Sequence, residues 1–211
     1  MKRFLILFVI VFSLIGRVSA QWRLGVDAGM NLSHLTFSKS VVDSENRLGF
    51  FVGPKLHWKL PKLGIGVDGA LRYAQRTSAI ESWDAAGVSV IDRQKMHFVE
   101  VPLNARWDIN PLKVLGFFIA TGPQWDWYIG PDTWESVDHF KTTFNHHTLS
   151  WNVGLGLILF KQLHIGVTHN FPITKQGTLF SQAYDAVSAA AQGVEIKNHT
   201  WQFYIDFYFK K

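Results

Sequence analysis

The segment Trp201–Phe209, WQFYIDFYF, alternates Trp201, Phe203, Ile205, Phe207 and Phe209 with Gln202, Tyr204, Asp206 and Tyr208. A period of two marks a strand with one apolar and one polar face. Seven earlier stretches follow the same rule: Trp22–Ser33, Leu48–Leu60, Leu63–Arg76, Met96–Asp108, Val114–Tyr128, His147–Phe160 and Leu163–Phe171. In Trp22–Ser33, Trp22, Leu24, Val26, Ala28, Met30 and Leu32 oppose Arg23, Gly25, Asp27, Gly29, Asn31 and Ser33. The connections alternate in length. Ser38–Asn46, Thr77–Lys95, Ile129–His146 and Pro172–Lys197 read as long polar loops, and Pro61-Lys62, Ile109–Lys113 and Lys161-Gln162 as short turns. Within the last loop, Ser181–Gln192 is rich in alanine with apolar residues near helical spacing, which predicts a short surface helix. Pro54, inside the second strand, predicts a bulge or a lipid-facing position where a ladder bond is already lost.

Eight strands joined long, short, long, short, long, short, long put both chain ends on the side of the short turns. This predicts an all-β fold, an eight-stranded antiparallel up-and-down transmembrane β-barrel with short periplasmic turns and long extracellular loops. A soluble eight-stranded barrel alternates too, and three features decide against it. The apolar face holds no Asp, Glu, Lys or Arg, and His169 and Gln75 are its strongly polar members. On the other face Arg23, Lys55, Lys59, Arg72, Arg76 and Arg106 balance Asp27, Asp68, Glu100, Asp108, Asp126 and Asp206. Balanced charge suits a confined lumen, where a buried ion needs a partner, and Glu100 is expected to meet Arg72 or Arg106. The strand glycines also sit almost wholly on the polar face, where a narrow interior crowds large side chains.

The aromatic positions fit the same picture. Trp22, Trp58, Trp107 and Phe209 fall at the lower strand ends, and Tyr73, Trp125, Trp127, Trp151, Phe171 and Trp201 at the upper ends, as two interfacial girdles.

Composition adds targeting. Met1-Lys2-Arg3, an apolar run Phe4–Ile15 and the small residues of Val18-Ser19-Ala20 read as a signal peptide. Residues 1–20 are expected to be cleaved, leaving 21–211 as one outer-membrane β-barrel domain. The 211-residue chain carries net charge +5, but Lys2, Arg3 and Arg17 fall in the leader, so the mature charge is +5 − 3 = +2 and no nucleic-acid partner is implied. With no cysteine there is neither a disulfide framework nor a lipid-anchored thioether.

Candidate chemistry is sparse. Gly64-Ile-Gly66-Val-Asp-Gly69 matches GxGxxG, but strand alternation runs straight through it, whereas a dinucleotide site needs a strand, a turn and a helix. His139, His146 and His147, with Asp138, cluster in the third long loop as possible metal ligands. Adjacent His146 and His147 chelate poorly in a strand, so a polar surface loop is the preferred reading. A lipid-cleaving site needs an outward nucleophile beside its base; outward His169 has Phe171 at the matching position. No enzyme activity, cofactor or metal is therefore expected, and a solute pore competes with a lumen filled by side chains.

The fourth strand carries Phe98–Leu103 (FVEVPL), the fifth Ala120–Pro123 (ATGP) and the sixth Asn152–Gly156 (NVGLG), ahead of the aromatic terminal strand. In these the chain resembles the small outer-membrane β-barrel family of Bacteroidota-type bacteria, often labelled porin-family or PorT-like. It departs from the usual pattern in ending Phe209-Lys210-Lys211 rather than on an aromatic. The resemblance implies insertion by the outer-membrane assembly machinery and, for PorT-like members, a tie to protein secretion. The expected partners are outer-membrane lipid, that machinery, and a secretion-system or surface ligand, around a monomeric barrel.

Overall fold

The computed structural model describes residues 21–37, 47–60, 63–83, 89–112, 114–131, 133–135, 140–181 and 194–209. They form twelve strands: β1 (Gln21–Phe37), β2 (Arg47–Lys59), β3 (Ile65–Ala70), β4 (Arg72–Trp83), β5 (Ser89–Ile109), β6 (Leu115–Ile129), β7 (Thr133–Glu135), β8 (Phe140–Phe144), β9 (His147–Leu159), β10 (Leu163–Pro172), β11 (Gly177–Ser181) and β12 (Val194–Tyr208). β3 and β4 are one stave. The staves pair antiparallel in the order β1, β2, β3/β4, β5, β6, β9, β10, β12, and β12 pairs back onto β1 from Gly25↔Tyr208 to Phe37↔Ile196. The result is a closed eight-stranded barrel. Closure removes the sheet edges that an open sheet of this length would expose.

The interruption between β3 and β4 follows from proline chemistry. Val52 pairs with Tyr73 and Lys55 with Ala70, so Pro54 stands opposite Leu71 in unbroken register and no residue is bulged out. Leu71 N–H donates to the Pro54 carbonyl at 3.0 Å, but Pro54 has no N–H to return the bond. On the stave's other side Gly69 pairs with Leu103 and Arg72 with Glu100, which places Pro102 opposite Ala70.

At the lower end Pro61-Lys62 and Lys113 of the expected turns lie outside the described residues, and Ile109 belongs to β5. Gly64 takes φ +70° and hands its carbonyl to Asp108 N–H at 2.7 Å, so the GxGxxG stretch is a turn glycine followed by strand β3. The β9–β10 connection bends through Phe160 and Lys161, both left-handed at φ 51° and 63°, with Gln162 N–H returning to the Leu159 carbonyl at 3.3 Å. That is a type I′ turn, whose twist matches the strands it joins.

The upper end differs from expectation. Thr77–Lys95 is no loop: Thr77–Trp83 of β4 pairs with Ser89–Lys95 of β5. β5 has 21 residues, roughly twice the 9–11 that a membrane crossing needs, so its upper half stands above the apolar band. Ile129–His146 contains β7 and β8, and Pro172–Lys197 contains β11 and the start of β12. β7, β8 and β11 continue the sheet from the upper part of β12. Above the bilayer neither face meets lipid, so the alternation that revealed the lower strands is lost. The predicted helix at Ser181–Gln192 lies outside the described residues except for Ser181, which ends β11.

Burial inverts that of a soluble barrel. Leu24, Leu48, Leu103, Leu155 and Ile205 on the outer face are exposed, while Asp27, Glu100 and Asp206 inside are 0% exposed. Among the described residues no helix is long and apolar enough to cross a membrane.

Candidate functional site

The lumen collects the charged residues that alternation turns inward. At its lower end Lys59 Nζ donates to Asp108 at 2.6 Å, and Arg106 bridges Asp108 (Nε, 2.6 Å) and Asp68 (Nη1, 3.0 Å). The Arg106 guanidinium lies 3.7 Å from the Phe118 ring centroid and donates through Nη2 to His164 Nδ1 at 2.9 Å. His57 is hydrogen-bonded through Nδ1 to Asp68, with Nε2 3.7 Å from Asp108.

In the middle, Lys55 Nζ reaches Asp206 at 2.7 Å, Asp68 at 3.8 Å and Asp27 at 3.9 Å. Arg72 Nε donates to Asp27 at 2.6 Å and Nη1 to Gln202 at 3.1 Å. Higher up, Arg76 Nη2 holds Glu100 at 2.5 Å and Asp126 at 2.9 Å. Gln124, Asn152 and Asn170 extend the network sideways in bonds of 2.7–3.1 Å. Above these layers Phe98, Tyr128 and Met96 are buried, and Phe144 of β8 packs on Tyr128 at 5.3 Å.

Sequence reasoning expects Glu100 to pair with Arg72 or Arg106, and the structure corrects this to Arg76. Arg72 does stand opposite Glu100 in the ladder, yet its guanidinium crosses β2 to Asp27. It can do so because Gly53 pairs with Asp27 and lies between them; a Cβ there would come 2.8 Å from Arg72 Cα. In a narrow lumen a long side chain is steered by the gaps beside it more than by its ladder partner.

Two pairs of carboxylates are direct cross-strand neighbours, Asp27↔Asp206 and Glu100↔Asp126. Like charges in that position repel, and each pair holds a cation from another stave, Lys55 or Arg76. Arg23 stands apart. It lies at the lower mouth, where Nη1 donates to the Lys161 carbonyl at 2.8 Å beside an open cavity of about 290 Å³.

Sequence reasoning puts His57 on the polar face without giving it a role and does not single out His164; both are 0% exposed in the lumen. Their parity is the signal: each shares a face with inward glycines or charges. The glycine argument has a direct counterpart, because a Cβ at Gly156 would strike the Phe118 ring and one at Gly166 the Tyr204 ring.

On the outer face Trp22 and Trp58 pair across β1 and β2 with ring centroids 6.1 Å apart, and Trp107 and Phe209 are exposed at the same end. Tyr73, Trp125, Trp127, Trp151 and Trp201 are exposed nearer the upper end. Trp151 Nε1 donates to Thr121 Oγ1 at 2.9 Å, which satisfies its polar atom on an apolar surface. His169 and Gln75 have more polar company on this face than expected: Lys95, His97, His147, Lys197 and His199 also fall at outward positions. Of the candidate metal cluster, Asp138 and His139 lie outside the described residues, His146 sits in the bend between β8 and β9, and His147 opens β9. Among the described residues no group of three or more His, Asp or Glu is placed to hold a metal ion.

The chain is similar to solved structures that are distant from it in sequence. OprG from Pseudomonas aeruginosa is 9% identical, with 91% of this chain and 96% of that chain covered at a TM-score of 0.46. Ail of Yersinia pestis is 13% identical, with 90% and 99% covered at 0.43. The Neisserial surface protein NspA is 7% identical, with 90% and 99% covered at 0.45. Comparison with the curated proteins finds no match. The family model described as outer membrane protein beta-barrel domain matches residues 17–210. Nearly the whole chain is covered by that match, and the protein is a member of the outer membrane protein β-barrel domain family.

Proposed function

We propose that this protein is a monomeric, non-catalytic outer-membrane barrel that works through the β-structure above its apolar band, as a structural or interaction component of a secretion or envelope assembly of the PorT-like kind. Residues 1–20 are its export signal, both termini of the mature chain are periplasmic, and the assembly machinery inserts it. The observation that carries this reading is the packing of the lumen. Five cationic side chains (Lys55, Lys59, Arg72, Arg76 and Arg106) and six carboxylates (Asp27, Asp68, Glu100, Asp108, Asp126 and Asp206) are all buried there, with Phe51, Phe118 and Tyr204 between them. An eight-stranded barrel is only wide enough to be filled in this way, so the surface left for recognition is outside it. The upper strands of β4, β5, β8, β11 and β12 supply that surface.

Planar-bilayer recording together with site-specific cross-linking from the upper β4–β5 hairpin tests the proposal. A silent bilayer and a cross-linked envelope protein are expected. Stable unitary conductance that changes on Lys55→Gln or Arg106→Gln would replace this reading with a solute pore. Altered outer-leaflet lipid in an overexpressing strain would replace it with a lipid-modifying enzyme. Against that enzyme stands the packing of His169, with rings of Phe171 and Trp201 at 4.2 and 4.5 Å.

A further inference from the structure

We infer that the outer face carries, just above its upper aromatic girdle, a binding belt for the phosphate groups of outer-leaflet lipid. The two ends of the apolar band are chemically unlike. At the lower end the outward side chains Trp22, Trp58, Ile65, Trp107, Val114 and Phe209 carry no formal charge. At the upper end six outward positions are basic or imidazole, among neutral ones such as Gln75, Thr77 and Ile129: Lys95 and His97 on β5, His147 on β9, His169 on β10, and Lys197 and His199 on β12. No acidic residue shares the outward face with them among the described side chains.

The imidazoles are held in place by the girdle. His147 stacks on Trp125 with centroids 5.4 Å apart and planes at 12°. His97 stacks on Tyr73 at 5.9 Å, and its Nδ1 is 2.6 Å from the Tyr73 hydroxyl, which leaves Nε2 as the nitrogen for an external acceptor. His199 lies against His169 at 5.8 Å and Phe171 at 6.4 Å. Lys95 and Lys197 are exposed one outward position higher on their strands. Going up β12 the outward residues run Phe203, Trp201, His199, Lys197: apolar, interfacial, donor, cation.

That gradient is complementary to a lipid whose acyl chains end at a phosphorylated headgroup. Cations near an anionic membrane surface are each worth about 1 kcal/mol, or roughly fivefold in affinity. Ring stacking lowers the entropy lost when an imidazole N–H bonds a phosphate oxygen. A soluble anion would gain the charge but not the apolar band, so the belt selects a lipid. The inference rests on the orientation proposed above, with the long strands outermost. Binding in micelles is read without reference to orientation, and surface labelling of the β4–β5 hairpin reads orientation separately.

The full mature chain in detergent is titrated with a bis-phosphorylated glucosamine disaccharide lipid, with the same lipid stripped of phosphate, and with inorganic phosphate. The expected result is a rise in unfolding temperature with the phosphorylated lipid only. The variant Lys95→Gln/His97→Gln/His147→Gln is expected to bind that lipid about tenfold or more weakly. Lys197→Gln alone gives a smaller loss and keeps the test open if the triple variant fails to fold. Lys161→Gln, at the opposite end, is expected to bind as wild type. Equal stabilisation by the two lipids, an equal effect of inorganic phosphate, or undiminished discrimination in the belt variants would each overturn the proposal.

Discussion

Asp27 of β1 and Asp206 of β12 face each other across the seam that closes the barrel, both fully buried, with Lys55 Nζ 2.7 Å from Asp206 and 3.9 Å from Asp27. A cation from β2 therefore neutralises the joint between the first and last strands. Lys55→Met is expected to destabilise the folded barrel by about 3–5 kcal/mol, because it leaves buried Asp206 without its cation, while Asp27 keeps Arg72 and Asp68 keeps Arg106. Asp206→Asn added to that variant is expected to recover part of the loss. Urea titration of the protein refolded into lipid vesicles measures both.

Arg76 holds Glu100 and Asp126 together, which makes the two sides of the pair unequal. Arg76→Met leaves two adjacent carboxylates unpaired, whereas Glu100→Ala leaves Arg76 still bound to Asp126. The arginine variant is expected to lose at least ~1 kcal/mol more than the glutamate variant. Heat-modifiable gel mobility in detergent ranks them, and equal loss would show that Glu100 and Asp126 do not share one clamp.

The ring of Phe118 occupies the space that a side chain at Gly156 would need. Gly156→Ala is expected to cost about 1–3 kcal/mol by overpacking. Phe118→Leu in the same chain is expected to return only part of it, because the Ile165 carbonyl also crowds that position, and each change alone destabilises. A double-mutant cycle by vesicle unfolding reads the coupling.

Phe209 is exposed beside the terminal strand, and its N–H donates to the Leu24 carbonyl at 2.9 Å. Loss of outer-membrane assembly is expected for Phe209→Ala and not for deletion of Lys210 and Lys211. Fractionation and heat-modifiability in cells check this.

The barrel was legible wherever lipid imposes a rule. Leu24, Val26 and Met30 must be apolar because acyl chains touch them, and that constraint writes the period of two into the sequence. Above the bilayer it lapses, so Thr77–Trp83 and Ser89–Lys95 look like loop though they pair residue for residue. In the lumen, alternation said which residues enter but not whom they meet. Arg72 passes its ladder neighbour Glu100 for Asp27 because Gly53 opens the way, a fact of three strands at once. His57 and His164 were visible by parity alone, and the outward histidines His97, His147 and His199 sit at strand positions where the apolar pattern is already fading.

The Pro54–Leu71 pair holds with one hydrogen bond where such a pair in an antiparallel ladder exchanges two. The missing bond lies two interfaces away from the seam, between β2 and the β3/β4 stave, and the β5–β6 ladder likewise skips Leu103 and Asn104 opposite Pro123 and Gly122. Closure and compliance are thus assigned to different joints. The seam keeps an unbroken ladder from Gly25 to Phe37 and the Lys55 clamp, so a barrel pulled apart is expected to yield first at the staves that hold its prolines and not between the first strand and the last.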